Sequence, residues 1–404
     1  MSNTNVTRTS SQARCPPSEQ RLTASVLFLL AALAALGALA TNIILPAFPE
    51  LGKDLGVSVR ELSATLTSFF LAFALGQLFV GPLSDRFGRQ RLVLFGLAIF
   101  IIGCLVCAVA STLPQLIGGR IIQALGVCAT SVLSRAIARD LFDGQELARA
   151  LSLTMIAMAA APGFSPLLGG MFNSWLGWRA TFGFVGVLAV LLAFYYNSKL
   201  GETHGADKRS TLSVWAILRI YWQLLIDRRF TTPALSVSLV IGALYAFFAM
   251  APAILMAGFH FSPFELGLFF ASIVFVVFGA GLLAPRLAKI RGSGPVARTG
   301  IIVALAGSVA LLLGKEDIFF FSAALIVFLL GMGLINPLGT AIALQPFAWH
   351  AGAASALLGF LQMGCAALSI SIAATLPFPV YTSLGMILTG NLTLSFLVFL
   401  ALRE

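Results

Sequence analysis

Two stretches decide how this chain is built: GPLSDRFGR at Gly81–Arg89 and GLLAPRLAK at Gly281–Lys289. Gly81, Arg86 and Arg89 align with Gly281, Arg286 and Lys289 at a constant offset of 200. Each stretch follows a long apolar run, the second such run of the chain in one case and the eighth in the other. A repeat unit that contains several apolar runs predicts two halves of one design, related as a parallel repeat.

The composition fixes the solvent of those halves. The 404 residues are 59% hydrophobic and 10% charged, whereas soluble domains carry about 25% charged residues. A water-exposed globule is excluded. Windows of about 20 apolar residues suffice to cross a bilayer as helix. They predict twelve spans, near 23–46, 62–83, 92–111, 115–138, 148–172, 178–198, 232–256, 264–285, 297–313, 318–345, 353–376 and 380–402. The expected organisation is a disordered cytoplasmic tail over 1–21, a six-helix bundle over 22–198, a cytoplasmic linker over 199–230 and a second bundle over 231–404. In the linker, Trp215, Leu218, Trp222 and Leu225 recur at helical spacing next to basic residues, as in a helix lying on a membrane surface.

The net charge of +10 has a topological reading. With the N-terminus in the cytoplasm, twenty Lys and Arg fall on that side and four outside (Lys53, Arg60, Arg179, Lys315), leaving Arg120 inside a span. That asymmetry places both termini in the cytoplasm and removes the reason to expect a nucleic-acid partner. The first run is too long for a signal-peptide core and is expected to stay. Cys104 and Cys107 have C-x-x-C spacing inside an apolar helix, where packing is the default role. The three His residues show neither metal-ligand spacing nor a nucleophile–base pattern. No metal site, catalytic residue or enzyme activity is expected.

GPLSDRFGRQR (Gly81–Arg91) resembles motif A of the major facilitator superfamily, between its second and third helices. RIIQALG (Arg120–Gly126) resembles motif B, and APGFSPLLGG (Ala161–Gly170) resembles the antiporter motif of helix 5. LGWRATF (Leu176–Phe182), GAASALLGFLQ (Gly352–Gln362) and the first-span element at Thr41–Pro46 narrow the likeness to Bcr/CflA-type drug-resistance transporters. The resemblance implies an all-α polytopic membrane protein with twelve helices in two six-helix bundles around a central substrate cavity. It further implies a monomeric proton antiporter of the bacterial inner membrane, with no cofactor but the proton gradient. Asp85, Arg86 and Arg89 would join Asp140 in a charge network that closes the cytoplasmic side, with Gly81 allowing close helix packing. In helix 5, Pro162, Ser165, Pro166, Gly169 and Gly170 stand at the antiporter motif, with Ser165 in place of its first glycine.

The first-span element departs from its family. The usual pattern is Thr-Asp-x-Tyr-Leu-Pro, and this chain reads Thr41-Asn42-Ile43-Ile44-Leu45-Pro46. A buried carboxylate titrates and can carry a proton; an amide offers donors and an acceptor but does not titrate. Every other Asp and Glu falls near a span end, so Arg120 is left as the charge of the interior. Such a site disfavours cations and suits neutral, polar or anionic ligands. Asn42, Arg120, Gln123 and Gln362, with Tyr245 and Asn336, are the expected substrate-binding residues. The expected function is export of a drug-like small molecule by alternating access. Export of an endogenous anion such as a siderophore, or proton-independent facilitation, are the alternatives.

Overall fold

In hydrocarbon every backbone N–H and C=O must be bonded within the segment, so apolar runs of this length fold as helices. The computed structural model describes residues 23–205 and 214–401. The predicted tail, together with Lys208, Arg209 and Arg403, lies outside the described residues. Within them are twelve helical segments long and apolar enough to cross a membrane, and no strand.

The first crossing is broken. Helix α1 (Ala24–Asn42) gives way to a 3-10 turn at Leu45–Ala47 and then to α2 (Phe48–Leu55). Pro46 and Pro49 lack the N–H groups that would continue the helix, so Asn42 becomes its last residue. The crossings α3 (Val59–Phe87), α4 (Arg89–Ala108), α5 (Leu113–Leu141), α6 (Gly144–Leu176) and α7 (Trp178–Lys199) follow. Connecting helix α8 (Val214–Ile226) leads to α9 (Arg228–Pro252), which runs on as a π-helical turn to Gly258. The remaining crossings are α10 (Pro263–Arg291), α11 (Ser293–Leu313), α12 (Ile318–Leu344), α13 (Ala351–Thr375) and α14 (Val380–Leu400).

The internal repeat is real, but its register is not the one the opening stretches suggest. Helices α3 and α10 are both 29 residues long. Each starts at a capping box, Ser58 with Glu61 and Ser262 with Glu265, and each ends at a left-handed glycine, Gly88 or Gly292. All three landmarks are 204 residues apart, not 200. The close-packed glycines of α4 and α11 obey the same spacing, Gly96 with Gly300 and Gly103 with Gly307. Lys289 therefore lies inside α10 opposite Asp85, and Arg89 corresponds to Ser293. The match at 200 pairs residues one helical turn out of step.

Helix α5 packs against α1, α3 and α4, and α12 occupies the matching place among α9, α10 and α11. The helices before and after the linker meet along two seams, α3 with α13 and α6 with α10. At the end opposite the basic loops, Arg60 of α3 donates to the carbonyl oxygens of Leu376 (2.7 Å) and Phe378 (3.0 Å). Glycines close the second seam: a side chain at Gly163 would strike Val274, one at Gly170 the Pro263 carbonyl, and one at Gly267 the backbone of Leu167. A space of about 30 Å³ lies beside the first seam, bordered by Arg60, Ser63, Met250 and Val380.

Helix α8 turns Trp215, Leu218, Trp222 and Leu225 outward and buries Tyr221 and Leu224 against α9, α12 and α13. Tyr221 donates to the Leu78 carbonyl oxygen of α3 at 2.9 Å, and burial pushes its hydroxyl up to about 12. The hydroxyl therefore keeps the proton it donates at physiological pH.

Glycine substitutions separate seam contacts from open positions. Any side chain at Gly169 meets the Ile43 carbonyl, whereas nothing lies within 4 Å of a Cβ at Gly81. Gly169→Ala is expected to cost about 1–3 kcal/mol through overpacking and Gly81→Ala close to nothing, as measured by thermal unfolding in detergent. The expectation that Gly81 serves close helix packing is thus not met here.

Candidate functional site: a buried arginine without a carboxylate

Close approach of α4 and α5 sets the site. Gly96 and Gly103 on one helix and Gly119 and Gly126 on the other recur every two turns, and each faces the partner helix directly. That contact carries Arg120 and Gln123 inward on α5, and both are completely buried. Arg120 does not snorkel. Its Nη1 donates to the Ala40 carbonyl oxygen of α1 (3.0 Å) and to Gln123 Oε1 (2.9 Å). The Phe69 ring of α3 covers the guanidinium with its centroid 4.3 Å from Cζ, a cation–π contact. Nε and Nη2 have no partner.

Gln123 extends the chain of polar contacts into α4. Its Nε2 donates to Cys104 Sγ at 3.1 Å, and the Cys107 thiol lies 3.8 Å from its Oε1 and from the Leu116 carbonyl oxygen. The C-x-x-C pair thus packs around the amide that holds the arginine, a role its spacing alone does not convey.

Asn42 is also buried. Its amide nitrogen bonds the Ala38 carbonyl oxygen at 2.8 Å, closing the last turn of α1, and its Oδ1 is unpartnered. An amide at a helix break needs no titratable partner, which accounts for an Asn being tolerated there. None of the predicted residues of the second half hydrogen-bonds to Arg120. Gln362 and Asn336 are half-buried and make no side-chain hydrogen bond among the described residues. Tyr245 packs its ring on Phe70 at 4.4 Å, next to the residue that covers Arg120. The cluster around Arg120 is filled by protein in this conformation rather than open as a central cavity.

The repeat gives an internal control. Gly126 packs on the backbone of Gly96 and Phe100, and Gly331 packs likewise on Gly300 and Ala304. From Gly126 to Gly331 the spacing is 205, one residue longer than in the two preceding helices. Arg120 therefore corresponds to Leu325 and Gln123 to Phe328, both wholly buried. The fold is satisfied by apolar side chains at these places. Packing does not explain a buried Arg–Gln pair in the first half.

The charge network at the basic end is complete. Arg89 Nε meets Asp140 Oδ2 at 3.0 Å, Nη1 meets Asp85 Oδ1 at 2.6 Å and also Ser84 Oγ, and the backbone N–H donates to Glu202 at 2.9 Å. All these partners belong to α3, α5 or the segment after α7, so in this state the network ties the first half to itself. Ser84 and Glu202 are members that motif matching missed. Arg86 stays exposed, stacked over Phe87 at 5.4 Å, outside the network.

The helix 5 element works as a junction. Helix α6 continues through Pro162 and Pro166, with Gly169 against α1 and Gly170 against α10. The Ser165 hydroxyl is buried without a partner. In LGWRATF, Gly177 adopts φ 77°, a conformation that favours glycine, and aims Trp178 Nε1 at Asp54 Oδ2 (2.9 Å).

Two related halves of six crossings each, set around a buried polar centre, have the architecture of a membrane transporter. Residues 30–400 match the model of the Major Facilitator Superfamily, and the chain belongs to that family. It is 29% identical to Multidrug resistance protein D of Escherichia coli, over 90% of this chain and 92% of that one. It is also 29% identical to the Bicyclomycin resistance protein homolog of Haemophilus influenzae, over 89% and 91%. The nucleoside transporter NupG shares the fold with a TM-score of 0.75 at 14% identity, over 94% of this chain and 99% of that one. The expected Bcr/CflA likeness holds.

Arg89 is the hub of its network, 9% exposed. Arg89→Ala removes the guanidinium shared by Asp85 and Asp140, while the backbone N–H still meets Glu202. It is expected to cost about 1–3 kcal/mol, read by unfolding in detergent, while Arg86→Ala changes little.

Proposed function

We propose that this protein exports drug-like small molecules, neutral or anionic, by alternating access. It sits in the bacterial inner membrane as a monomer, with its basic end and both termini in the cytoplasm. The resistance proteins it resembles support the substrate class. The observation that carries the charge preference is the Arg120 centre, a buried cation on α5 with no carboxylate partner. In that reading the Arg60 bonds to Leu376 and Phe378 hold the periplasmic side shut, and the Arg89 network stiffens the first half as the halves rock.

Proton antiport, which the family resemblance implies, cannot run through Asn42. A coupling proton would have to use the Asp85–Asp140 network or travel on the substrate. Export of an endogenous anionic metabolite such as a siderophore draws on the same Arg120 centre. A deletion strain that accumulates a native anion and keeps its drug tolerance would favour that second reading.

Drug uptake into inverted vesicles tests the proposal. Uptake of neutral and anionic compounds is expected, with the lipophilic cation tetraphenylphosphonium excluded. Asn42→Asp is expected to admit the cation and to weaken anion transport at least tenfold. Tight export of tetraphenylphosphonium by the unaltered protein would contradict the charge preference.

A further inference from the structure

Arg120 leaves one defined part of its donor set free. Nη1 is taken by Ala40 and Gln123 and one face by Phe69, while Nε and Nη2 are without partners. These two nitrogens form the side edge of the guanidinium, whose parallel N–H bonds match the two oxygens of a carboxylate. The described carboxylates are all elsewhere. Glu50, Asp54, Glu61, Glu265, Glu316 and Asp317 lie at one end of the bundle, and Asp85, Asp140, Asp143, Glu146, Glu202 and Asp227 at the other. Orphaned donors on a buried cation are destabilising, and the corresponding Leu325 and Phe328 show that the fold can do without them.

We propose that this edge is an oxyanion subsite, and that the transported molecules include organic monocarboxylates with an apolar body, gripped in bidentate fashion. The inference rests on the exporter reading above. Phe69 covers one face of the guanidinium and leaves the in-plane edge to the ligand. Phe69 and Phe70 adjoin on α3, and Phe70 leads through Tyr245 to Phe248 at centroid separations of 4.4 and 5.9 Å. This aromatic path carries the apolar body of the ligand towards the second half. Asn42 Oδ1, two residues beyond the Ala40 carbonyl, adds an acceptor for a ligand hydroxyl or amide.

The charge account follows. Arg120 stays with the protein, so each turnover moves one negative charge, that of the ligand. With the basic end inside, an inside-negative potential of 100 mV drives such an anion outward by roughly 50-fold. No carboxylate of the protein has to titrate.

The test is a matched pair, 4-phenylbutyrate and 4-phenylbutyramide, titrated into the purified full chain at pH 7.4 and assayed for efflux in proteoliposomes. The carboxylate is expected to bind at least tenfold more tightly than the amide. Arg120→Lys, which keeps the charge but loses the fork, is expected to lose at least tenfold for the carboxylate and nothing for the amide. Phe69→Leu removes only the face contact and is expected to leave the preference for the carboxylate over the amide in place. Equal binding of the two probes, or undiminished carboxylate binding by Arg120→Lys, overturns the subsite. Efflux of the amide without the carboxylate overturns the subsite and leaves the exporter reading standing; efflux of neither removes both.

Discussion

A guanidinium held in a low-dielectric interior without a counter-ion is the constraint around which the first half is arranged. On membrane-insertion scales an arginine at depth costs about 2.5–3.5 kcal/mol, and Arg120 recovers part of that from two oxygen acceptors and one aromatic face. The acceptors come from the end of α1 and from its own helix, and the ring comes from α3. Three helices are thereby fixed to one side chain. The glycine contacts between α4 and α5 bring Gln123 and the two cysteines within reach, and the break in α1 after Asn42 sets the carbonyl of Ala40 at the right depth.

The same constraint separates the two halves. They share the length of α3 and α10, the capping boxes and left-handed end glycines of those two helices, and close-packed glycine pairs. They differ at the buried centre and at the basic end. At the buried centre Arg120 and Gln123 face Leu325 and Phe328 across the repeat. At the basic end Asp85 and Arg89 face Lys289 and Ser293, so the acid–base network exists once. The first half holds the buried charge, and the second presents an aromatic wall, continuous from Tyr245 and Phe248 to Phe270 and Phe321.

Much of this was legible in the residues. Hydropathy gave twelve spans because the bilayer imposes one length and one polarity on all of them. Arg120 and Asn42 stood out because polar groups in such runs are costly. The repeat was legible too, but its register was misread: Gly81 and Gly281 are chance partners, whereas Ser58-x-x-Glu61 with Ser262-x-x-Glu265 and Gly96 with Gly300 carry the true spacing. Those signals were in the sequence and required attention to helix ends and helix contacts rather than to loop charges. Other features were not legible. Phe69 is one of 34 phenylalanines, and only the approach of α3 to α5 sets it over the guanidinium. Glu202 reaches Arg89 through the path of the chain after α7. Which donors of Arg120 are left over depends on the angle at which α1 crosses α5, and no sequence pattern encodes that.

The central claim is that the interior, among the described residues, holds a fixed positive charge and no carboxylate to titrate against it. Counting protons exchanged on ligand binding tests it most directly. Calorimetric titration of 4-phenylbutyrate in buffers of different ionisation enthalpy, between pH 6 and pH 8, should give the same heat in every buffer, because no proton is taken up or released. A heat that tracks the buffer, corresponding to about one proton per ligand, would mean that a carboxylate of the protein or of the ligand titrates on binding, and the account would be wrong.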